Sequence, residues 1–306
     1  MNNNNSKGVS YTSGFFILIG LALAGIFIAS IIGLLVLNIT SGNISEAALN
    51  DPKNAGTIRF IQALSVLMGM FLPALVTARI LNRRPFALLG YTRPVAPGNF
   101  LIVAGIVIVS LFIAGAFGYV NKQIPLPPDW KAWSDELEKK YAEQVQIMMN
   151  LKSVGGYLLS LVLMAFLPAV CEETLFRGGL QNFLTRATKL PWLAIIVVSI
   201  LFSLVHLSFY GFLPRMFLGI VLGLIFYKSG NIGLSITAHF LNNALAVTQV
   251  YIMVSQGKEI KGAMDQDLPG MYWGFIAIPL LFILVKALKR SAPSERLSAV
   301  AEEKKF

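Results

Sequence analysis

Apolar residues along this chain come in long blocks. Runs from Phe15 to Leu37, Ile58 to Ile80, Phe100 to Val120, Val154 to Glu172, Trp192 to Phe209, Phe212 to Tyr227, Ile232 to Val254 and Met271 to Leu288 are almost free of charge. A helix needs about 20 apolar residues to cross the hydrocarbon core of a bilayer. The blocks therefore predict an all-α fold, a polytopic membrane helix bundle of about eight spans. The first run exceeds the apolar core of a signal peptide and reads as a span.

A different pattern separates the third block from the fourth. In PPDWKAWSDELEKKYAEQVQIMMN, the residues Trp130, Trp133, Leu137, Tyr141, Val145 and Met148 recur every three or four positions, with prolines 127 and 128 at the start. That period predicts an amphipathic helix, either lying on the outer leaflet or capping the bundle. In the sixth block Gly219 and Gly223 form a GxxxG pair, read as a packing feature that lets another helix approach. The chain divides into a polar tail (1–14), three spans with the amphipathic helix (15–153), a core of helices expected to be catalytic (154–254), and a last span with its tail (255–306). No internal repeat is evident, and the terminal SAPSERLSAVAEEKKF reads as loose.

Composition agrees with a membrane protein. The chain has 306 residues, 56% hydrophobic and 13% charged, with mean hydropathy +0.68; a soluble domain carries about 25% charged residues. The net charge of +10 could suggest nucleic acid, but its distribution gives a topology instead. Basic residues fill alternate loops: Arg79, Arg83, Arg84 and Arg93, then Arg186 and Lys189, then Lys228, then Lys286, Lys289, Arg290 and Arg296. The other loops are mixed, with Glu46, Asp51 and Lys53 after the first span and Lys258, Glu259, Lys261, Asp265 and Asp267 after the seventh. The positive-inside rule then places both termini in the cytoplasm, for a multi-pass protein of the cell (inner) membrane.

Candidate chemistry is confined to a few positions. Glu172, Glu173 and Arg177 interrupt the fourth block, and the chain's two histidines, His206 and His239, stand in the fifth and seventh. Charged groups within a span persist only when paired, wetted or used. Adjacent side chains on a helix diverge by about 100°, so Glu172 and Glu173 are expected to face different neighbours. Arg177 follows Glu173, and Asn243 follows His239, at the i, i+4 spacing that shares a helix face. Helical rise places Glu172 roughly 25 Å and His206 roughly 22 Å from the turn near Lys189–Pro191, nearly level in an antiparallel hairpin. His239 lies roughly 12 Å past the turn at Asn231, a looser match. The single cysteine, Cys171, excludes an intrachain disulfide and reads as an apolar filler, not a nucleophile.

Three short motifs occur in order: EETLFR (Glu172 to Arg177), FSLVH (Phe202 to His206) and HFLNN (His239 to Asn243). In these the chain resembles the CPBP family of intramembrane proteases, which includes type II CAAX prenyl endopeptidases and Abi bacteriocin-immunity proteins. The resemblance covers roughly Val154 to Val254. It implies peptide-bond hydrolysis in a cytoplasm-facing membrane cavity, on a membrane-associated protein or peptide, with a lipid attached to that substrate left open. On this reading Glu172, with His206, holds and deprotonates a water. His239 and Asn243 donate hydrogen bonds to the oxyanion, and Glu173, Arg177 and Phe202 support the site. Glu172, His206 and His239 could alternatively hold one zinc ion; a metal-free water site is preferred, since the spacing lacks the His-Glu-x-x-His pattern. A proton-coupled transporter and a non-catalytic immunity or scaffold protein are the rival readings.

Overall fold

The computed structural model describes residues 5–91, 95–149, 151, 153–257 and 271–288. Arg93, the loop residues Lys258 to Asp267, and the tail from Lys289 onward, with the SAPSERL segment expected to be loose, lie outside the described residues. The described residues form helices and no strand. In chain order these are α1 (Tyr11–Ser41), α2 (Glu46–Asn50), α3 (Pro52–Leu81), α4 (Pro85–Leu89), α5 (Pro97–Lys122), α6 (Pro128–Met148), α7 (Val154–Thr188), α8 (Pro191–Leu204), α9 (Phe212–Ser229), α10 (Ile232–Ser255) and α11 (Ile278–Ala287). Five of them, α1, α3, α5, α7 and α9, are long and apolar enough to cross a membrane; α8, α10 and α11 are the remaining apolar helices of the bundle.

Helix boundaries follow local chemistry. Side chains of Ser10, Ser153 and Asn231 accept from the backbone N–H groups of Ser13, Gly156 and Gly233 and so cap α1, α7 and α10. The last span opens with a 3₁₀ turn, Met271–Ala277, before α11, so the expected run is not one continuous α-helix. Two π-helical stretches, Leu67–Phe71 and Leu161–Phe166, stand just before Pro73 and Pro168. A proline has no N–H for the carbonyl four residues back, and a widened turn absorbs the missing bond.

Side chains are apolar outside as well as inside. Phe27, Leu101, Phe112 and Phe282 are each more than half exposed, a surface that suits lipid and not water. Leu18, Ala22, Ala78, Leu89, Phe176, Phe183 and Phe202 form one core among α1, α3, α4, α7 and α8. Ile106, Ile113, Leu222, Ile225, Leu234 and Leu281 form a second among α5, α9, α10 and α11. The chain is a multi-pass membrane helix bundle.

The two ends of the bundle differ in charge. At one end Lys7 donates to the Arg79 carbonyl, Arg186 stacks on Tyr11, and the Ile232 N–H reaches the Gly90 carbonyl. Among the described residues this end carries Lys7, Arg79, Arg83, Arg84, Arg186, Lys189, Lys228 and Lys286 and no acid. The opposite end is covered by α6. There Lys140 pairs with Glu46 at 3.1 Å, Arg59 donates to the carbonyls of Ile147 and Met148, and Tyr210 donates to Asp135. So α6 caps the bundle, through the C-terminal half of the face its period predicts. Val145 and Met148 are buried, while Trp130 and Trp133 stay exposed and Asp135 and Glu138 turn toward Tyr210 and Ser208.

Candidate active site

The central segment of α7 is bracketed by two wide turns. Leu161–Phe166 precedes it, and a second π-helical stretch, Thr174–Gln181, follows Glu173 directly. Such turns open a helix where side chains must be re-aimed, and they recur at functional sites. Between them sit Glu172, 8% exposed, and Glu173, wholly buried.

Glu173 anchors a buried network. Its Oε1 accepts from Arg177 Nη1 at 2.9 Å, and Arg177 Nη2 donates to the Gly219 carbonyl at 3.1 Å. One turn on, Gln181 Nε2 donates to the Gly223 carbonyl. The GxxxG pair therefore does more than admit a neighbour. A Cβ on Gly219 would stand 3.0 Å from the Ser199 Cβ, and one on Gly223 would stand 2.8 Å from the Gln181 amide oxygen. Bare backbone here brings α8 close and offers two carbonyls to α7. A guanidinium out of water costs several kcal/mol unless paired, and Arg177 is paired to a carboxylate, a carbonyl and the ring of Phe202, 4.6 Å from its carbon.

Glu173 also holds His239. The Nδ1 of His239 lies 2.9 Å from Glu173 Oε1; a carboxylate accepts, so Nδ1 carries the proton. The ring's other nitrogen, Nε2, faces Glu172 Oε2 at 3.8 Å. The expectation that adjacent carboxylates face different neighbours is corrected at this ring. One imidazole with nitrogens on opposite edges reaches both side chains despite their divergence. Two carboxylates and one guanidinium leave this buried cluster one positive charge short, and one more proton, on His239 or Glu172, balances it.

His206 arrives by another route. The expected span to Phe209 ends early: α8 stops at Leu204, and His206 stands in the turn beyond it, next to Leu207 in the left-handed region at φ 48. The Ser203 hydroxyl donates to the Phe212 carbonyl and the Asn121 amide to the Phe209 carbonyl, closing this turn in place of another helical bond. His206 Nδ1 is 2.8 Å from the Phe202 carbonyl, an acceptor only, so Nδ1 holds the proton and Nε2 keeps its lone pair. The Phe202 ring meets the rings of His206 and His239 at 5.1 and 5.8 Å between centroids, tilted and edge-on respectively.

All four expected catalytic side chains, Glu172, His206, His239 and Asn243, line one cavity of about 560 Å³ together with the ring of Phe202. Its far wall comes from the Tyr141–Met149 stretch at the end of α6. Glu172 Oε2 is sealed from bulk solvent and has no hydrogen-bond partner. Asn242, which the motif reading missed, donates its amide to Asn243 Oδ1 at 3.1 Å, leaving the Asn243 amide hydrogens as donors. Its adjacent position in HFLNN was the available signal. Glu173 and Arg177 lie behind the cavity wall. Cys171 is buried beside the site.

One zinc ion on Glu172, His206 and His239 was the alternative expectation. Among the described residues no three of His, Cys, Asp and Glu are arranged to hold a metal ion, Glu172, His206 and His239 included. Both Nδ1 atoms are engaged, with Phe202 and Glu173, so Nε2 is the available nitrogen of each ring. One further consequence concerns topology. The cavity lies toward the α6 end of the bundle, away from the basic end.

Residues 154–245 match the family model described as type II CAAX prenyl endopeptidase, Rce1-like. The matched stretch runs from the start of α7 into α10, contains all three motifs and ends just beyond Asn243. It agrees with the resemblance to the CPBP family. No curated protein and no solved structure matches the chain.

Proposed function

We propose that this chain, whose α7–α10 core is a type II CAAX prenyl endopeptidase-like domain, is an intramembrane endopeptidase that uses a glutamate to activate water. One observation carries the reading. Glu172, one of whose carboxylate oxygens has no hydrogen-bond partner, lines the same cavity as both histidines and Asn243. An acceptor with no protein partner in such a place suits a bound water.

The residues divide the reaction among themselves. Glu172 takes a proton as the water oxygen attacks the substrate carbonyl carbon. His206 Nε2, with its lone pair free, accepts the second water hydrogen and orients the nucleophile. Negative charge then develops on the carbonyl oxygen, where the Asn243 amide and a protonated His239 Nε2–H donate to it. The carbon–nitrogen bond breaks as Glu172 returns its proton to the departing amine, leaving a carboxylic acid and an amine. Glu173 keeps His239 in register, while Arg177 balances Glu173. No metal enters these steps.

The substrate is a membrane protein or membrane-associated peptide, and its cleavable segment must reach the cavity beside α6. We place the basic end in the cytoplasm by the positive-inside rule. The α6 end then faces the other side of the membrane, and substrates approach from that side or from the lipid. Lipidation of the substrate fits the apolar lining without being required by it.

Comparing the membrane proteomes of cells carrying wild type and Glu172→Gln tests this reading. A fragment pair present only with wild type is expected. Identical proteomes, with both proteins expressed, would contradict it.

A further inference from the structure

Two charged side chains line the cavity among the described residues. Glu172 is one and Arg215 the other. Arg215 stands in the first turn of α9, partly buried, with its guanidinium carbon 5.7 Å from the centre of the Tyr141 ring. It folds against Gly211, where a Cβ would come within 2.1 Å of Nη1. Nη1 is sealed from solvent and has no hydrogen-bond partner. None of the ion pairs among the described residues includes it. Glu138, on the capping helix, is bonded to Ser208 instead. Arg177, the other arginine in this core, is paired with the Glu173 carboxylate, so a guanidinium at the cavity wall with no ion pair among the described residues stands out.

We propose that Arg215 is a substrate-anchoring residue that binds a carboxylate of the peptide in the cavity. A guanidinium offers parallel N–H groups that fit a carboxylate in two bonds, and the desolvated setting strengthens both. The anchor lies on the same cavity as Glu172 and near enough to His206 for their charges to interact. A peptide held there by one carboxylate has a neighbouring amide bond presented to Glu172. The carboxylate comes either from the chain terminus or from an acidic side chain. The inference rests on the endopeptidase reading only in taking the ligand to be a peptide.

Glu172→Gln protein in lipid nanodiscs serves as the receptor, and dansyl-labelled apolar pentapeptides serve as probes. Three forms are compared: a free acid, its C-terminal amide, and that amide with one Asn replaced by Asp. The free acid is expected to bind about tenfold more tightly than the amide, the gain typical of a charge-assisted pair. Tighter binding by the Asp amide alone would instead assign the contact to a side chain. Arg215→Gln should bring the ratio near one without weakening the amide, and Arg215→Lys should keep part of it. Equal binding of all three forms to the Arg215 protein, or binding of none, overturns the proposal, and this comparison needs no variant at Arg215. Cleavage by the Glu172 protein is scored separately with the same peptides. Cleavage without a carboxylate preference defeats only the anchor, and preference without cleavage defeats only the hydrolytic reading.

Discussion

His239 Nδ1 stands 2.9 Å from Glu173 Oε1, deep in the bundle, and this bond separates the duties of two adjacent carboxylates. Glu173 is committed through Oε1 to His239 and Arg177, whereas Glu172 lines the cavity. Removing either charge should therefore abolish cleavage for different reasons. Glu172→Gln should leave thermal stability near wild type. Glu173→Gln should also lower the melting temperature, because it strands a buried guanidinium. Equal stability of the two variants would remove the distinction.

Arg177 is 1% exposed and Glu173 wholly buried, so breaking this pair uncovers an uncompensated charge. Arg177→Met should destabilise the protein by about 3–5 kcal/mol. Unfolding by chemical denaturant in a fixed detergent measures this. Replacing Glu173 and Arg177 together should cost less than the sum of the single changes, since neither charge is then left alone.

Topology can be read with cysteine labelling, since Cys171 is the chain's single thiol and is buried. In intact cells a membrane-impermeant maleimide should label Trp133→Cys on the capping helix. It should fail to label Arg84→Cys at the basic end until the cells are opened. The reverse pattern would put the capping helix in the cytoplasm and the basic end outside.

Cleavage should persist after exhaustive chelation, and purified protein should carry no stoichiometric zinc, because the nearby donors do not form a three-ligand set. Loss of activity on chelation, restored by zinc, would show that the cavity side chains rearrange around an ion.

Much of this could be read from the chain. Blocks of apolar residues marked the spans, since lipid rewards length and composition and little else. The i, i+4 partners Glu173 and Arg177 met as helical geometry requires. What escaped was set by breaks in regular helix. The wide turns flanking Glu172 and Glu173 re-aim side chains in a way a uniform 1.5 Å rise cannot anticipate. The early end of α8 depends on Ser203 and Asn121 closing a turn, partners in the latter case 88 residues away from the carbonyl they satisfy. Arg215, inside the sixth apolar block, was not among the candidate residues, and only the cavity gives it a setting. Gly219 and Gly223 gave no hint that their carbonyls would receive Arg177 and Gln181.

The central claim is that Glu172 activates the water that splits a peptide bond. The most direct measurement uses purified protein in nanodiscs with a quenched fluorescent peptide library run as pools, wild type against Glu172→Gln. The account predicts that a pool cleaved by wild type is cut at least about a hundredfold more slowly by the variant, the range lost with a general base, while its binding is unchanged. Cleavage by Glu172→Gln at the wild-type rate would contradict it.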